Sequence, residues 1–185
     1  MILPPRIRAR NRMLRQRINR APSPIIAVGL PWLSIILGSM LSTVLVIASA
    51  PIMPPLGFLT FLAWRQLRPG LLPIWAGLPL GLVDDLYSGQ PFGSAVLLWS
   101  VAAIALDVIE ERVPWRYFFT EWLVAAAMAA TYIVACLAIA NLASASTPVL
   151  ILVPQIIASI LVYPLVCRLV ALIDQLRLVP IVEVG

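Results

Sequence analysis

The chain has 185 residues, of which 62% are hydrophobic and only 11% are charged, and its formal net charge is +5. Soluble domains average about 45–50% apolar and about 25% charged residues, so this composition leaves too few polar groups to cover a fold in water. The mean hydropathy of +1.00 points the same way. We expect an all-α, polytopic membrane protein with one domain.

Residues 1–27 are predicted to form a basic cytoplasmic tail. Between residues 6 and 20 the chain has seven of its 13 arginines and no acidic residue. Ile7, Leu14 and Ile18 recur near helical spacing, which favours a short amphipathic helix on an anionic lipid surface. A disordered tail that only sets the membrane topology is an equal alternative.

Six apolar segments follow, separated by prolines or short polar breaks. The first is too long for the core of a signal peptide, so we interpret it as an uncleaved helix. The second is short for a bilayer of about 30 Å, and the third contains Pro73 and Pro79, so a tilted or partly re-entrant path is open for both. We predict a single transmembrane domain over 28–178 and a C-terminal tail over 179–185. The segments are 28–50, 56–66, 71–87, 93–111, 117–141 and 148–173.

The arginines predict the orientation. With six spans, the cytoplasmic segments are 1–27, 67–70, 112–116 and the C-terminal tail, and all 13 arginines fall in or near them. This distribution follows the positive-inside rule. Both termini are therefore expected in the cytoplasm, as in a multi-pass protein of the bacterial inner membrane.

Two adjacent carboxylates, Asp84 and Asp85, stand at the outer end of the third segment. Carboxylates are costly within or near a membrane, and the C-terminal end of a helix is unfavourable for a negative charge. The arginines are expected on the opposite side. We therefore predict that one aspartate folds back onto the free N–H groups of the fourth helix and joins the two helices. The other aspartate is expected to meet water, headgroups or a partner, and spacing alone does not choose between them.

Four of the nine glycines accompany these aspartates. Gly77 and Gly81 form a small-xxx-small pair that lets another helix approach closely. Gly89 is predicted to occupy a turn position with positive φ. Gly93 is predicted to allow tight packing where the fourth helix begins. A buried helix hairpin without any ligand explains the same pattern.

No catalytic constellation is visible in the sequence. The chain has no His, and Cys136 and Cys167 stand alone in apolar runs. GxSxG, HExxH and CxxC motifs are missing as well, so we expect no enzyme, no metal and no cofactor. The two aspartates are adjacent on a helix and point about 100° apart, so they do not form a shared acid–base site.

A second charged cluster lies at the cytoplasmic end of the fourth segment. Its members are interpreted as interfacial charges that mark a loop, or alternatively as a docking patch for a cytoplasmic partner. The residues proposed for docking are Asp107, Glu111, Arg112 and Arg116.

The pattern Gly81-x-x-x-Asp85-x-x-x-Gly89-x-x-x-Gly93, within "GLVDDLYSGQPFG", resembles the central signature of the MreD family of bacterial rod shape-determining membrane proteins. The following run "SAVLLW", the chain length and Pro164 in the last segment are also similar. The resemblance covers about 28–178 and favours Asp85 as the family's aspartate. Asp84 is a departure, because an apolar residue is usual there, and the Arg-rich tail exceeds the family's core.

This resemblance implies a non-enzymatic component of the cell-wall elongation (rod) complex, acting in cell shape and lateral peptidoglycan synthesis. The implied partners are MreC, the MreB filament, RodA and the elongation-specific penicillin-binding protein, besides membrane lipids, with no nucleic acid. Helix surfaces around Gly77, Gly81, Gly89 and Gly93 are expected to dock a partner's transmembrane helix.

The alternative is a substrate-binding subunit of an energy-coupling factor type vitamin transporter, a class that also has six helices and a similar length. In that case Asp84 and Asp85 would line an outward-facing pocket. The short outer loops predicted here argue against a lid over such a pocket.

Overall fold

The computed structural model describes residues 20–21, 24–44, 53–112, 117–143, 148–177 and 182–183. Six α-helices lie in this part of the chain, as predicted, and they agree closely with the six apolar segments. We number them α1 (Pro24–Val44), α2 (Leu56–Leu67), α3 (Gly77–Ser88), α4 (Ser94–Arg112), α5 (Phe118–Ala143) and α6 (Val153–Arg177). The predicted basic helix over residues 6–20 falls almost entirely outside the described residues.

Short elements complete the chain. Single 3₁₀ turns, Ile74–Ala76 and Val149–Leu152, precede α3 and α6. Strand β1 (Arg20–Ala21) pairs antiparallel with β2 (Val182–Glu183), so the chain segments that flank the bundle lie side by side.

Helix α2 is the centre of the bundle. It begins directly after Pro55, and every residue from Gly57 to Gln66 is buried. It packs on α1, α4, α5 and α6, while α3 packs on α1 and α4. Its aromatic side chains continue into the neighbours, because Phe58 stacks on Tyr132 with ring centroids 4.1 Å apart and Phe61 contacts Trp99 at 5.2 Å.

Hydrogen bonds between helix ends define two ends of the bundle. At one end, Arg177 Nη1 donates to Ala27 O (3.1 Å) and Arg68 pairs with Asp174, which joins the start of α1 to the ends of α2 and α6. We call this the arginine end. At the other, the aspartate end, Gln155 Nε2 donates to Met53 O (2.9 Å). The predicted grouping of Arg65, Arg68 and Arg177 at one end is therefore observed.

Two helical stretches, Phe118–Leu142 and Val149–Arg177, are long and apolar enough to cross a membrane. The apolar helix Ile26–Ser42 is shorter. Helices α2 and α3 have 12 residues each, or about 18 Å at 1.5 Å per residue, which is less than a hydrocarbon core of about 30 Å. The chain before α3 is irregular over residues 68–73 and forms a 3₁₀ turn over 74–76, so the α-helix of the third segment begins six residues later than the predicted segment.

The outward faces of the helices are apolar as well as the core. Helix α4 exposes Leu97, Val101, Ile104 and Val108, while the buried residues of the bundle include two arginines and three aspartates beside the apolar core. A helix on the surface of a water-soluble bundle usually turns a polar or charged face outward. The apolar outward faces therefore fit an apolar surrounding. The buried ionisable residues are Arg65, Asp84, Asp85, Asp174 and Arg177.

Candidate functional site

Asp85 joins α3 to α4 at the aspartate end. Its Oδ2 accepts from Gly93 N (2.9 Å) and Val96 N (3.3 Å), and its Oδ1 accepts from Ala95 N (2.9 Å) and the Ser94 hydroxyl (3.3 Å). These N–H groups belong to the first turn of α4 and have no partner within that helix. The predicted link between the two helices is present, and Asp85 forms it.

The position of Asp85 explains how a carboxylate is accommodated at the C-terminal end of α3. A carboxylate at the C-terminal end of α3 faces the negative end of that helix, but it also sits on the positive N-terminal end of α4. Gly93 takes the N-cap position, since Leu97 N donates to Gly93 O (3.0 Å), and glycine has no side chain with which to cap. Asp85 therefore supplies from α3 the capping group that α4 lacks.

Asp84 points the other way and is buried. Its Oδ2 accepts from the Tyr132 hydroxyl of α5 (3.2 Å), and Ser39 of α1 lies nearby. Only 8% of Asp84 is exposed, so the expectation that the second aspartate meets water, headgroups or a partner is wrong. The two adjacent side chains diverge as expected for a helix, and each ties α3 to different neighbours.

Gly77 and Gly81 provide a close helix crossing within the chain. A Cβ at Gly81 would stand 2.7 Å from Ala95 O and Val96 Cα, and one at Gly77 would stand 2.9 Å from Ser100 Cα. Backbone atoms of α4 thus fill the space over both glycines. The close approach was predicted correctly, but the expectation that a partner's helix docks on Gly77 and Gly81 is wrong, because α4 already occupies that face.

The turn glycines are required by backbone conformation. Gly89 has φ +66° and ends α3 in the left-handed region, as predicted. Gly93 has φ +92°, and no atom lies within 4 Å of a Cβ built there. Gly93 is thus needed for its positive φ and not for the tight packing expected of it.

The arginine end contains an ion pair between a buried arginine and a partly exposed aspartate, which the sequence did not indicate. Arg65 is 5% exposed and pairs with Asp107 of α4. Its guanidinium also donates to Leu72 O (2.8 Å) and Ala103 O (3.1 Å). Backbone carbonyls outside regular helices need other donors when they are buried, and Arg65 supplies one to Leu72 in the segment before α3.

This ion pair alters the predicted docking cluster. Asp107 is engaged by Arg65 and belongs to the core network, so it is not a free member of a docking patch. Glu111 and Arg112 are exposed at the end of α4. Arg116 lies outside the described residues.

A second charged group fastens the end of α6. Asp174 accepts from Arg68 Nε (3.0 Å) and Nη2 (2.8 Å), and its other oxygen lies 3.0 Å from Arg177 Nη2. The Arg177 guanidinium also lies 5.9 Å from the centroid of the Trp64 ring. Next to this group, Gln66 accepts from the Tyr163 hydroxyl (2.6 Å). The arginines of this end therefore stabilise the contacts between helix ends, in addition to the orientation that their distribution predicts.

Three other contacts escaped the sequence reasoning. Gly38 of α1 crosses Gly57 of α2, with 3.2 Å between a Cβ at Gly38 and Gly57 Cα, and the Ser39 hydroxyl occupies the space beside Gly57. Tyr132 reaches Asp84 from 48 residues away. The presence of Gly38 in α1 and Gly57 at the start of α2 could have indicated a close crossing of these helices. Nothing in the sequence indicated the contact between Tyr132 and Asp84.

The cysteines behave as expected for packed thiols. Cys136 is buried, Cys167 is half-buried, and both are free. Within the described residues, no group of three or more Cys, Asp or Glu side chains is arranged to hold a metal ion.

Comparison with known proteins adds no relative. No family model, no curated protein and no solved structure matches this chain.

Proposed function

We propose that the protein is a multi-pass protein of the bacterial inner membrane with both termini in the cytoplasm. Two of its helices are long and apolar enough to span, and α4 adds a third outward apolar face. Arg65, Arg68 and Arg177 gather at one end, which by the positive-inside rule is the cytoplasmic end. The contact between β1 and β2 supports placing both flanks on that side.

Within that membrane, the proposed role is a non-enzymatic component of the cell-wall elongation (rod) complex, as the resemblance to the MreD family implies. The observation that carries this proposal is the geometry of the shared motif. Asp85 caps α4, Gly81 admits the α4 backbone, and Gly89 and Gly93 make the turn. Each position of the pattern therefore has a physical reason within one helix hairpin.

In this proposal the α3–α4 hairpin stabilises the fold, and the outward faces of the helices bind the partner proteins. Because α4 covers Gly77 and Gly81, partners such as MreC must approach other helix faces. In this account Asp85 does not touch a partner; it holds α3 and α4 in the arrangement that presents their outer surfaces. RodA, MreB and the elongation-specific penicillin-binding protein remain partners implied by the resemblance.

The test is co-purification with MreC of the same bacterium, combined with cell shape. Asp85→Leu removes the cap of α4 and is expected to weaken recovery of MreC and to give rounded cells. Asp84→Asn changes the adjacent aspartate, whose side chain is buried and lies on no outer surface, and serves as the matched control that keeps both. If Asp85→Leu retains MreC and rod shape at normal protein levels, the proposed role is wrong.

The transporter alternative has its own readout. Thermal unfolding of the purified protein is measured with vitamins and metal ions added one at a time. The rod-complex proposal predicts no saturable shift, whereas a saturable shift with one vitamin would favour a substrate-binding subunit.

A further inference from the structure

The outward face of α6 contains an arginine among leucines. Leu165, Leu169, Leu172 and Leu176 are each more than half exposed and follow one another at spacings of four, three and four. This is the heptad spacing of helices that pack side by side. Arg168 is exposed on the same face. We call these four leucines and Arg168 the α6 seam.

Arg168 differs from the arginines that stabilise the bundle. Arg65 and Arg177 are buried and paired with Asp107 and Asp174. Arg168 makes no ion pair or hydrogen bond with any residue that the structure describes. Charged side chains within membrane helices almost always face the protein interior, so an outward one that pairs with no described residue indicates a partner beyond this part of the chain.

Lipid headgroups are a poor match for Arg168. The exposed face continues, with Gln175 as its other polar residue, to Leu176, which is eight residues and about 12 Å farther toward the arginine end. An extended arginine side chain reaches about 7 Å from its Cα. Side chains also tilt toward the N-terminus of their helix, and in α6 this direction leads away from the arginine end.

A second copy of the chain is also a poor match. Copies in one membrane share one orientation, so a symmetric contact along the α6 seam would set two Arg168 side chains at the same depth. Like charges at close range repel, most strongly where water is excluded. An acidic residue on a helix of a different protein would neutralise Arg168. The apolar residues that flank the acid on that helix would pack on the leucines of the α6 seam.

We infer that the α6 seam docks a transmembrane helix of another protein, one that carries a glutamate or aspartate about 12 Å from its cytoplasmic end. This inference rests on the proposed function, because it names the surface and the chemistry through which a scaffold of this kind holds a partner. The α6 seam takes the place of the surface around Gly77 and Gly81 as the predicted docking surface, because α4 covers those glycines.

The test uses the full chain in neutral phosphatidylcholine vesicles with labelled model helices of about 22 leucines and alanines. One helix has a single Glu at the stated depth and the other has Gln there. Fluorescence energy transfer from each labelled helix to the protein gives the affinity of that helix for the protein. We expect the Glu helix to bind about tenfold more tightly, in line with a polar contact between membrane helices.

Three variants define the site. Arg168→Gln is expected to abolish the preference for Glu over Gln, and Arg168→Glu to transfer it to a helix that carries Arg. Leu169→Ala with Leu172→Ala is expected to weaken both model helices. The matched control moves the charge: Ile104→Arg in the Arg168→Gln chain places an arginine on the outward face of α4 and is expected not to restore the preference.

Several results would overturn the inference. Equal binding of the Glu and Gln helices would do so, as would recovery of the preference with Ile104→Arg. So would Arg168-dependent retention of anionic lipid, or Arg168-dependent self-association, in place of helix binding. If the unaltered protein fails to bind MreC in cells but still prefers the Glu helix in vesicles, the proposed rod-complex role is refuted and the inference about the α6 seam is retained.

Discussion

Asp84 and Asp85 are neighbours in the chain but have different electrostatic surroundings. Asp85 accepts three backbone N–H groups at the positive end of α4, whereas Asp84 accepts the Tyr132 hydroxyl of α5 and has no cation among the residues described around it. We therefore expect the fold to depend on the Asp85 carboxylate and to tolerate the loss of the Asp84 charge.

Substitution by asparagine separates the two roles. Asp85→Asn leaves one acceptor oxygen for three backbone donors and is expected to destabilise the fold by about 1–3 kcal/mol. Asp84→Asn keeps an acceptor for Tyr132 and removes a carboxyl group without a counter-ion, so we expect no loss of stability. Thermal unfolding in detergent measures both. A larger loss for Asp84→Asn than for Asp85→Asn would contradict this assignment.

Arg65 is predicted to be the costliest single charge to remove. Arg65→Met leaves Asp107 and the carbonyls of Leu72 and Ala103 without their donor, and we expect a loss of about 3 kcal/mol. Adding Asp107→Leu to Arg65→Met should recover part of that loss, because no uncompensated carboxylate remains. The double-mutant cycle is measured by unfolding in detergent. Strict additivity of the two losses would refute the pairing.

At the scale of elements, the helices were predictable and their neighbours were not. Prolines and polar breaks bound each apolar run, so the six helices follow from local sequence. A link from one of the two aspartates to α4 was also predictable, because only four residues separate the end of α3 at Ser88 from Gly93, but the spacing did not choose Asp85 over Asp84. Contacts between distant positions, such as Tyr132 with Asp84 or Arg65 with Asp107, depend on which helix packs where, and no local signal encodes that.

The position of α2 illustrates the limit. Its composition resembles that of the outer helices, yet it is enclosed on all sides. The sequence indicated only that it is short. Its central place arises from the crossing of Gly38 with Gly57 and from the polar residues Thr60, Arg65 and Gln66, which are suited to a protein interior and not to lipid.

The α3–α4 crossing gives a prediction for a pair of elements. Gly81→Val adds a side chain where backbone atoms of α4 are 2.7 Å away, so the helices must separate and the cap at Asp85 is lost with them. Gly29→Val is the matched control in α1, because nothing lies within 4 Å of a Cβ there. We expect Gly81→Val to lower the melting temperature far more than Gly29→Val. Equal effects of the two would show that the crossing is looser than described.

For the molecule as a whole, the arrangement of polarity is the main physical result. Arg65, Asp174 and Arg177 are paired and Asp85 caps α4, while the outward faces of α1, α4 and α6 are mostly apolar, with Arg168 as an exposed charge on α6. Composition alone indicated a membrane protein, but only the fold shows that the charged residues face inward and cluster at two ends. A single charge at the centre of a membrane helix costs about 2.5–3.5 kcal/mol on insertion scales, so this inward placement matters for insertion.

Sidedness tests the account most directly. In a chain with Cys136 and Cys167 replaced by alanine, single cysteines are introduced as Pro69→Cys, Glu111→Cys or Ser88→Cys, all at exposed positions. A membrane-impermeant maleimide is applied to spheroplasts and to inverted inner-membrane vesicles. We predict labelling of Ser88→Cys only in spheroplasts and of the other two only in inverted vesicles. Labelling of Pro69→Cys and Glu111→Cys from opposite sides would contradict the account.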